Sequence, residues 1–139
     1  MIAAAVSMTA DERERYAGGF VGERWEAIKS DCWGIARRFY DGLGYGLPFI
    51  AWRPATVDLL DVAKSARWLA PLEAAEWGAL IVIAPPAGEA VGHLAVSLGD
   101  GRLLTASKKT GSVILRDYKL ADRIQGYFRV TELYRRRNG

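Results

Sequence analysis

The chain contains one cysteine and one histidine among its 139 residues, and both occupy positions suited to thiol chemistry. Cys32 follows Asp31, a typical N-cap residue, and apolar residues then recur with helical spacing. A thiolate at a helix start is stabilised by the free backbone N–H groups and by the helix dipole. His93 follows Gly92 and opens an apolar segment of strand character. A cysteine activated by a histidine that is near in space but distant in sequence is the arrangement that nucleophilic thiol catalysis requires.

Each of the two residues also has a purely structural interpretation. A free cysteine is among the most buried residue types and often behaves as a small hydrophobic side chain. Taken together, Cys32 and His93 make nucleophilic thiol catalysis, with the imidazole as the base, about as well supported as the structural interpretation. One cysteine excludes an intramolecular disulfide, and one cysteine with one histidine cannot form a Cys/His zinc site.

The composition limits the class of protein. Hydrophobic residues make up 50% and charged residues 25%, which indicates one globular domain over residues 1–139 and excludes a disordered chain or a coiled coil. The net charge of +3 is too small to argue for nucleic acid. No segment reaches the roughly 20 apolar residues that span a bilayer, so we expect no membrane partner. The apolar run at 2–6 leads directly into acidic residues, unlike a secretory signal, which predicts a cytoplasmic location at synthesis.

The periodicity predicts an α+β domain with a helical first half and a strand-rich second half. We expect helices over 9–16, from Asp31 to the glycines at 42 and 44, and over 57–68 with Thr56 as its cap and Pro71 beyond its end. We expect about five mostly antiparallel strands, over 79–84, 93–98, 102–107, 112–116 and 126–133.

The loop at 99–101 decides where Thr105 lies relative to His93. A two-residue turn at 100–101 would place Thr105 on the face opposite His93. A three-residue loop over 99–101 would pair Leu98 with Arg102 and place Thr105 on the His93 face. We predict the three-residue loop, in which the Thr105 hydroxyl could accept the ring N–H and hold the tautomer.

Two segments resemble a known family, the NlpC/P60 cysteine peptidases, and within it most closely the phage tail-assembly branch. The nucleophile segment is Asp31-Cys32-Trp33-Gly34, followed by Arg37, Phe39, Tyr40 and the loop 46–48. The second segment is 77–83 followed by 92–102, which is similar to the family's first core strand and its histidine-bearing hairpin. The resemblance covers about 16–130, with a short N-terminal extension and a basic C-terminal tail outside it.

The resemblance implies a papain-like fold with N-terminal helices packed on the sheet. It also implies hydrolysis of amide bonds in bacterial peptidoglycan stem peptides, typically beside D-glutamate and diaminopimelate, with no metal or organic cofactor. It makes phage tail proteins the expected partners and a virion tail the expected final location. Such carriage would deliver the enzyme to the cell wall without a signal peptide.

Three positions differ from the family's pattern. Thr105 stands where many members have a polar third residue, often histidine; Phe20 replaces a tyrosine; and Ala79 replaces an acidic residue. Two alternatives therefore stay open: a tail-tip subunit that keeps the fold with weak or lost activity, and a thiol acyltransferase that uses the same pair. Thr105 is the predicted third catalytic residue. The predicted substrate-binding residues are Trp33 and Phe20 in the cleft, with Arg37, Lys108 and Arg102 as candidates to meet substrate carboxylates.

Overall fold

The architecture is a single sheet with helices packed on it, seen in a computed structural model that describes residues 1–48, 58–89 and 92–136. The helices are α1 (Ala3–Val6), α2 (Ala10–Gly18), α3 (Cys32–Gly42) and α4 (Leu59–Ser65). The strands are β1 (Leu69–Leu72), β2 (Trp77–Ile83), β3 (His93–Leu98), β4 (Arg102–Ser107), β5 (Gly111–Arg116) and β6 (Ile124–Val130). Short 3₁₀ turns cover Asp117–Leu120 and Glu132–Tyr134.

The sheet has six strands in the order β1-β6-β2-β3-β4-β5, and every neighbouring pair is antiparallel. The predicted α+β class with an antiparallel sheet is confirmed, and the sheet has six strands against the expected number of about five. The missed strand is β1, which contains Pro71, the residue that the sequence analysis took as the stop after a helix. Pro71 lies opposite Phe128 on an edge strand, where one side of the backbone has no ladder to break.

The helix starts follow their capping residues. Thr9 caps α2 through a reciprocal pair in which its side chain accepts from the Glu12 N–H at 3.1 Å and its N–H donates to the Glu12 carboxylate at 2.9 Å. The cap of α4 is Asp58 and not Thr56, because the Asp58 carboxylate accepts from the first-turn N–H groups. Residues 56 and 57, where the helix was predicted to begin, lie outside the described residues. None of the described helices has the length and apolar character to cross a bilayer.

The main core lies between α3 and one face of the central strands. Ile35 and Phe39 on α3 are fully buried, and they belong to the same cluster as Leu80, Val96 and Leu104 of the sheet. Burial of one such side chain contributes about 1.5–3 kcal/mol to folding. This packing fixes the first turn of α3 relative to β3 and β4.

The residues expected to form an N-terminal extension also contribute to the core. Ile2 and Ala5 are buried in the same cluster as α3, with exposed fractions of 1% and 0%. The Ile2 side chain lies beside Gly78, where an added Cβ would approach it to 3.2 Å. The folded unit therefore begins well before residue 16.

The β3–β4 connection has the predicted three-residue length. Val96 lies opposite Leu104 and Ser97 opposite Leu103, a register that leaves residues 99–101 as the loop. Its two glycines have φ angles of +81° and +84°, a region that residues with a Cβ rarely adopt. Continued by one step, this register places Thr105 beside Ala95, two residues from His93.

Candidate active site

Cys32 is the first residue of α3, and Asp31 holds the chain on both sides of it. The two Asp31 carboxylate oxygens accept from the Gly34 N–H at 2.7 Å and from the Ile28 N–H at 2.9 Å. The helix start is thereby tied to the preceding loop. Ile28 has a φ of +72°, an uncommon conformation for a β-branched residue, so this loop stores backbone strain four residues before Cys32.

Gly34 lets the same loop lie against the first turn of α3. A Cβ at this position would lie 2.3 Å from the Ile28 carbonyl oxygen and 2.5 Å from that of Lys29. Both neighbours are backbone atoms, so they can move away only if the loop moves. Close contact of loop and helix therefore requires glycine here.

Replacement of Gly34 with alanine is expected to displace the loop and to destabilise the fold by about 1–3 kcal/mol, as overpacking does. Thermal unfolding measures the effect as a lower Tm. Gly18→Ala is the matched control, because it also lies in a helix and an added Cβ there meets nothing within 4 Å. Equal Tm values for the two variants would show that the loop does not depend on Gly34.

Cys32 and His93 lie on the walls of one cavity of about 530 Å³. His93 is half-buried at the start of β3, opposite Ile83, while Cys32 has an exposed fraction of 7%. The same cavity is lined by Trp25, Glu89, Lys108 and Lys109. The two residues singled out from the sequence thus share a space that a substrate segment could enter.

The surroundings keep both groups of the pair uncharged at neutral pH. Burial raises the pKa of the Cys32 thiol to about 11, and the Asp31 carboxylate pushes in the same direction. Burial also lowers the pKa of His93, assisted by the nearby positive charge of Arg123 and opposed by Glu89. At pH 7 the pair is a thiol facing the same cavity as a neutral imidazole, which can act as a general base.

Thr105 is buried near His93, but its hydroxyl has a different partner from the expected one. Its Oγ1 donates to the Leu94 carbonyl at 2.8 Å. Within the described part of the chain, no side chain forms a hydrogen bond with the His93 ring. A buried hydroxyl needs a hydrogen-bond acceptor for its O–H group, and the Leu94 backbone carbonyl is the acceptor here. Thr105 therefore holds the backbone beside His93 and does not contact the imidazole itself.

The segment that carries Trp25 forms another wall of the cavity. Gly22 donates its N–H to the Ser112 carbonyl at 2.9 Å, and the Ser112 N–H donates to the Glu23 carbonyl at 2.9 Å. The Glu23 N–H also donates to the Ser112 hydroxyl at 2.7 Å. These bonds attach the segment to the start of β5. They place the half-buried Trp25 ring 5.0 Å from the Lys108 ammonium nitrogen.

Two aromatic residues predicted to bind substrate belong to the core instead. Trp33 has an exposed fraction of 2% and packs against Trp68, with ring centroids 6.0 Å apart. Successive helix residues point in different directions, so Trp33 turns inward where Cys32 reaches the cavity. Phe20 packs against Tyr16 at 5.3 Å and Phe39 at 5.7 Å between ring centroids. Neither ring lines the cavity.

Of the three predicted cationic residues, one lines the cavity and two do not. Lys108 lines the cavity, whereas Arg37 lies exposed on α3 outside it. Arg102 is engaged by two carboxylates of its own chain, with nitrogen–oxygen distances of 2.6 Å to Glu14 and 2.8 Å to Asp100. Arg102 is therefore a structural ion-pair residue and not a substrate ligand.

Trp25, Glu89 and Lys109 line the cavity without having been predicted to do so. All three lie in connections between elements, where neither periodicity nor capping gives a signal. Their common feature is visible only in three dimensions. Among residues 1–48, 58–89 and 92–136, no group of three His, Cys, Asp or Glu side chains is placed to hold a metal ion.

Comparison with known proteins places this fold among NlpC/P60 domains. The chain is similar to the NlpC/P60 domain of the peptidoglycan hydrolase SagA, with 18% identity, a TM-score of 0.60 and coverage of 89% of this chain and 99% of that domain. An NlpC/P60 family protein from Bacillus cereus shows 20% identity and a TM-score of 0.63 over 88% of this chain. A lipoprotein-like NLP/P60 protein from Staphylococcus aureus shows 25% identity and a TM-score of 0.52 over 87%. The chain spans 40% and 41% of these last two proteins. No family model and no curated protein matches the sequence.

Proposed function

We propose that this protein is a cysteine hydrolase that cleaves amide bonds in bacterial peptidoglycan. The observation that carries the proposal is the shared cavity, which brings Cys32 at a helix start and His93 at a strand start to one space. The same fold is found in a peptidoglycan hydrolase domain. Thiol hydrolysis needs these two side chains and no metal.

The reaction begins with the thiol and the imidazole both neutral. His93 takes the Cys32 proton as the sulfur attacks the amide carbonyl, so that an S–C bond forms and the carbonyl π electrons move to oxygen. The Cys32 backbone N–H lies in the first turn of α3, where it has no helical acceptor and can donate to that oxyanion. The oxyanion electrons then re-form the carbonyl, the C–N bond breaks, and the imidazolium gives its proton to the leaving amine. Water, losing a proton to His93, attacks the thioester; the S–C bond breaks, the carboxylic acid leaves and the Cys32 thiol regains its proton.

The cavity walls support a peptide substrate that carries carboxylates. Lys108 and Lys109 supply positive charge on one side, and the Trp25 ring offers an apolar face beside them. Stem peptides that contain D-glutamate and diaminopimelate carry several free carboxylates, and the bond between these two residues is the cleavage site that we propose. Similarity of the segments 31–48 and 92–102 to the phage tail-assembly branch supports delivery of the enzyme in a virion tail, with tail proteins as its partners.

Digestion of purified peptidoglycan tests the activity directly. Reduced protein is incubated with sacculi, and the released peptides are analysed by mass spectrometry. Fragments with a new amino terminus at diaminopimelate are expected. Protein treated with a thiol-specific alkylating reagent is the control. No release by the reduced protein over a range of pH would overturn the proposal.

A catalytically weak subunit that keeps the fold is the second candidate. The high pKa of the thiol, about 11, and the lack of a described hydrogen-bond partner for the imidazole favour it. In this case Cys32 and His93 would be present but poorly coupled.

The pH dependence of Cys32 alkylation separates the two candidates. In an active enzyme the alkylation rate rises as His93 loses its proton. This rise occurs at a pH below the ordinary histidine pKa, because burial lowers the pKa of His93. A second rise toward pH 11 follows the thiolate itself. Rates measured with a neutral alkylating reagent from pH 4 to 11 should show both rises. A profile with only the second rise would identify the inert fold.

Replacement of Thr105 with valine is expected to lower the hydrolysis rate modestly, by about two- to tenfold, because one buried hydrogen bond worth about 0.5–1.5 kcal/mol is lost. The loss frees the Leu94 carbonyl and loosens the backbone beside His93. Thr131→Val is the control, because the Thr131 hydroxyl is buried, has no hydrogen-bond partner among the described residues and does not line the cavity. A Thr105→Val rate as low as that of a variant without the imidazole would mean that Thr105 contacts the ring during the reaction.

A further inference from the structure

We propose that Glu89 is the positioning residue for the His93 imidazole, the role that the sequence predicted for Thr105. Its carboxylate would accept the N–H of one ring nitrogen while the other nitrogen takes the Cys32 proton. This inference rests on the proposed thiol hydrolysis.

Glu89 has the location that this role requires. It lies on the connection between β2 and β3, four residues before His93, and lines the same cavity. The Glu89 N–H donates to the Pro86 carbonyl at 3.0 Å, and Gly88 between them has a φ of +82°, which forms a tight turn there. The turn at 86–89 therefore carries Glu89 to the cavity that His93 also lines.

The other carboxylate at the cavity is already committed. Asp31 uses both oxygens to accept from the Ile28 and Gly34 N–H groups. Glu89 forms no hydrogen bond or ion pair through its side chain with any residue that the structure describes. Between the two acidic residues that line this cavity, Glu89 is thus the one whose oxygens are available to an imidazole N–H.

The charge balance around His93 also calls for a carboxylate. The neighbouring charged groups include the positive Arg123, next to β6, and the positive Lys108 and Lys109 on the β4–β5 turn. When His93 accepts the thiol proton, a further positive charge appears in this half-buried space. Glu89 is the group that raises the pKa of His93, against burial and Arg123. A neutral residue at 89 would leave a weaker base.

The proton moves from the Cys32 sulfur to one ring nitrogen and later to the leaving amine. The Glu89 carboxylate stays ionised throughout and accepts a hydrogen bond from the other ring nitrogen. It fixes the tautomer of the neutral ring and stabilises the imidazolium, the role that a carboxylate has in serine hydrolases.

Histidine NMR on the full chain tests this contact without any substrate. The chain has one histidine, so a single set of ring signals reports its pKa and tautomer. Wild type is compared with Glu89→Gln, which keeps the size and removes the charge, and with Glu89→Ala, which also removes the acceptor. Glu73→Gln, at an exposed carboxylate away from the cavity, is the control. Cys32 alkylation by a neutral reagent is measured for all four proteins.

We expect Glu89→Gln to lower the pKa of His93, and Glu89→Ala in addition to mix the two ring tautomers. The imidazole-dependent part of the alkylation rate should fall about tenfold in Glu89→Ala, less than the roughly 10²- to 10⁴-fold contribution of a general base itself, while Glu73→Gln matches wild type. An unchanged tautomer and alkylation rate in Glu89→Ala would overturn the proposal, even if the pKa moved. Absence of peptidoglycan cleavage by wild type would contradict the proposed function alone, because neither readout here uses peptidoglycan.

Discussion

Cys32→Ala is expected to abolish peptidoglycan hydrolysis, with a rate lower by about 10⁴-fold or more, as for loss of the nucleophile in other covalent hydrolases. The chain has no second thiol that could substitute. Alanine leaves the helix start intact, because Asp31 and not Cys32 supplies the cap. The measurement is peptide release from purified sacculi, with wild type and variant at equal concentration.

Folding must be shown to survive in the Cys32→Ala variant. Loss of one sulfur atom from a site with an exposed fraction of 7% should lower the free energy of unfolding by about 1 kcal/mol, because the truncated group is small. Circular dichroism and Tm provide this control. Hydrolysis by a folded Cys32→Ala protein at more than a few per cent of the wild-type rate would show that a hydroxyl or an activated water attacks the bond.

His93→Ala is expected to lower the hydrolysis rate by about 10²- to 10⁴-fold, the usual contribution of a general base. The thiol of this variant has no described base, and its pKa of about 11 leaves little thiolate at pH 7. The remaining activity should therefore increase steadily with pH from 7 to 10. The same variant should lose the rise in alkylation rate that follows the imidazole.

Added imidazole distinguishes a missing base from a damaged fold. His93 lies on the cavity wall, so its removal leaves space that free imidazole can enter. Millimolar imidazole should raise the rate of His93→Ala and leave Cys32→Ala inactive. A His93→Ala protein with wild-type activity would remove the imidazole from the mechanism.

The parts that could be predicted from the sequence are those in which neighbouring residues determine the backbone. Thr9 with Glu12, and Asp31 with Gly34, specify helix starts through their own hydrogen bonds. The glycines of the loop 99–101 select its three-residue length and thereby the β3–β4 register. The edge strand β1 was not predicted, because Pro71 fits two interpretations. A proline can follow the end of a helix, and it is also tolerated in a strand at a sheet edge.

The lining of the site was less predictable than its two reactive residues. Cys32 and His93 stand at element starts, but the direction of Trp33 depends on packing against Trp68, which is distant in sequence. Similarly, the sequence allowed the Thr105 hydroxyl either to accept from the His93 ring or to donate to a backbone carbonyl, and its bond to the Leu94 carbonyl follows from burial in the folded sheet. Side-chain partners of this kind are tertiary properties, which no local pattern encodes.

Attachment of the Trp25 segment to the start of β5 has a consequence for binding. Three hydrogen bonds join residues 22 and 23 to Ser112, and Gly111 allows the Glu23 carbonyl to approach where a Cβ would lie only 2.4 Å from it. Two walls of the cavity are thus one preorganised unit, so ordering them when a ligand binds costs little free energy. The entropic cost of association falls mainly on the flexible peptide. We therefore expect Gly111→Ala, which separates the walls, to lower the association rate constant of a ligand by a larger factor than it raises the dissociation rate constant.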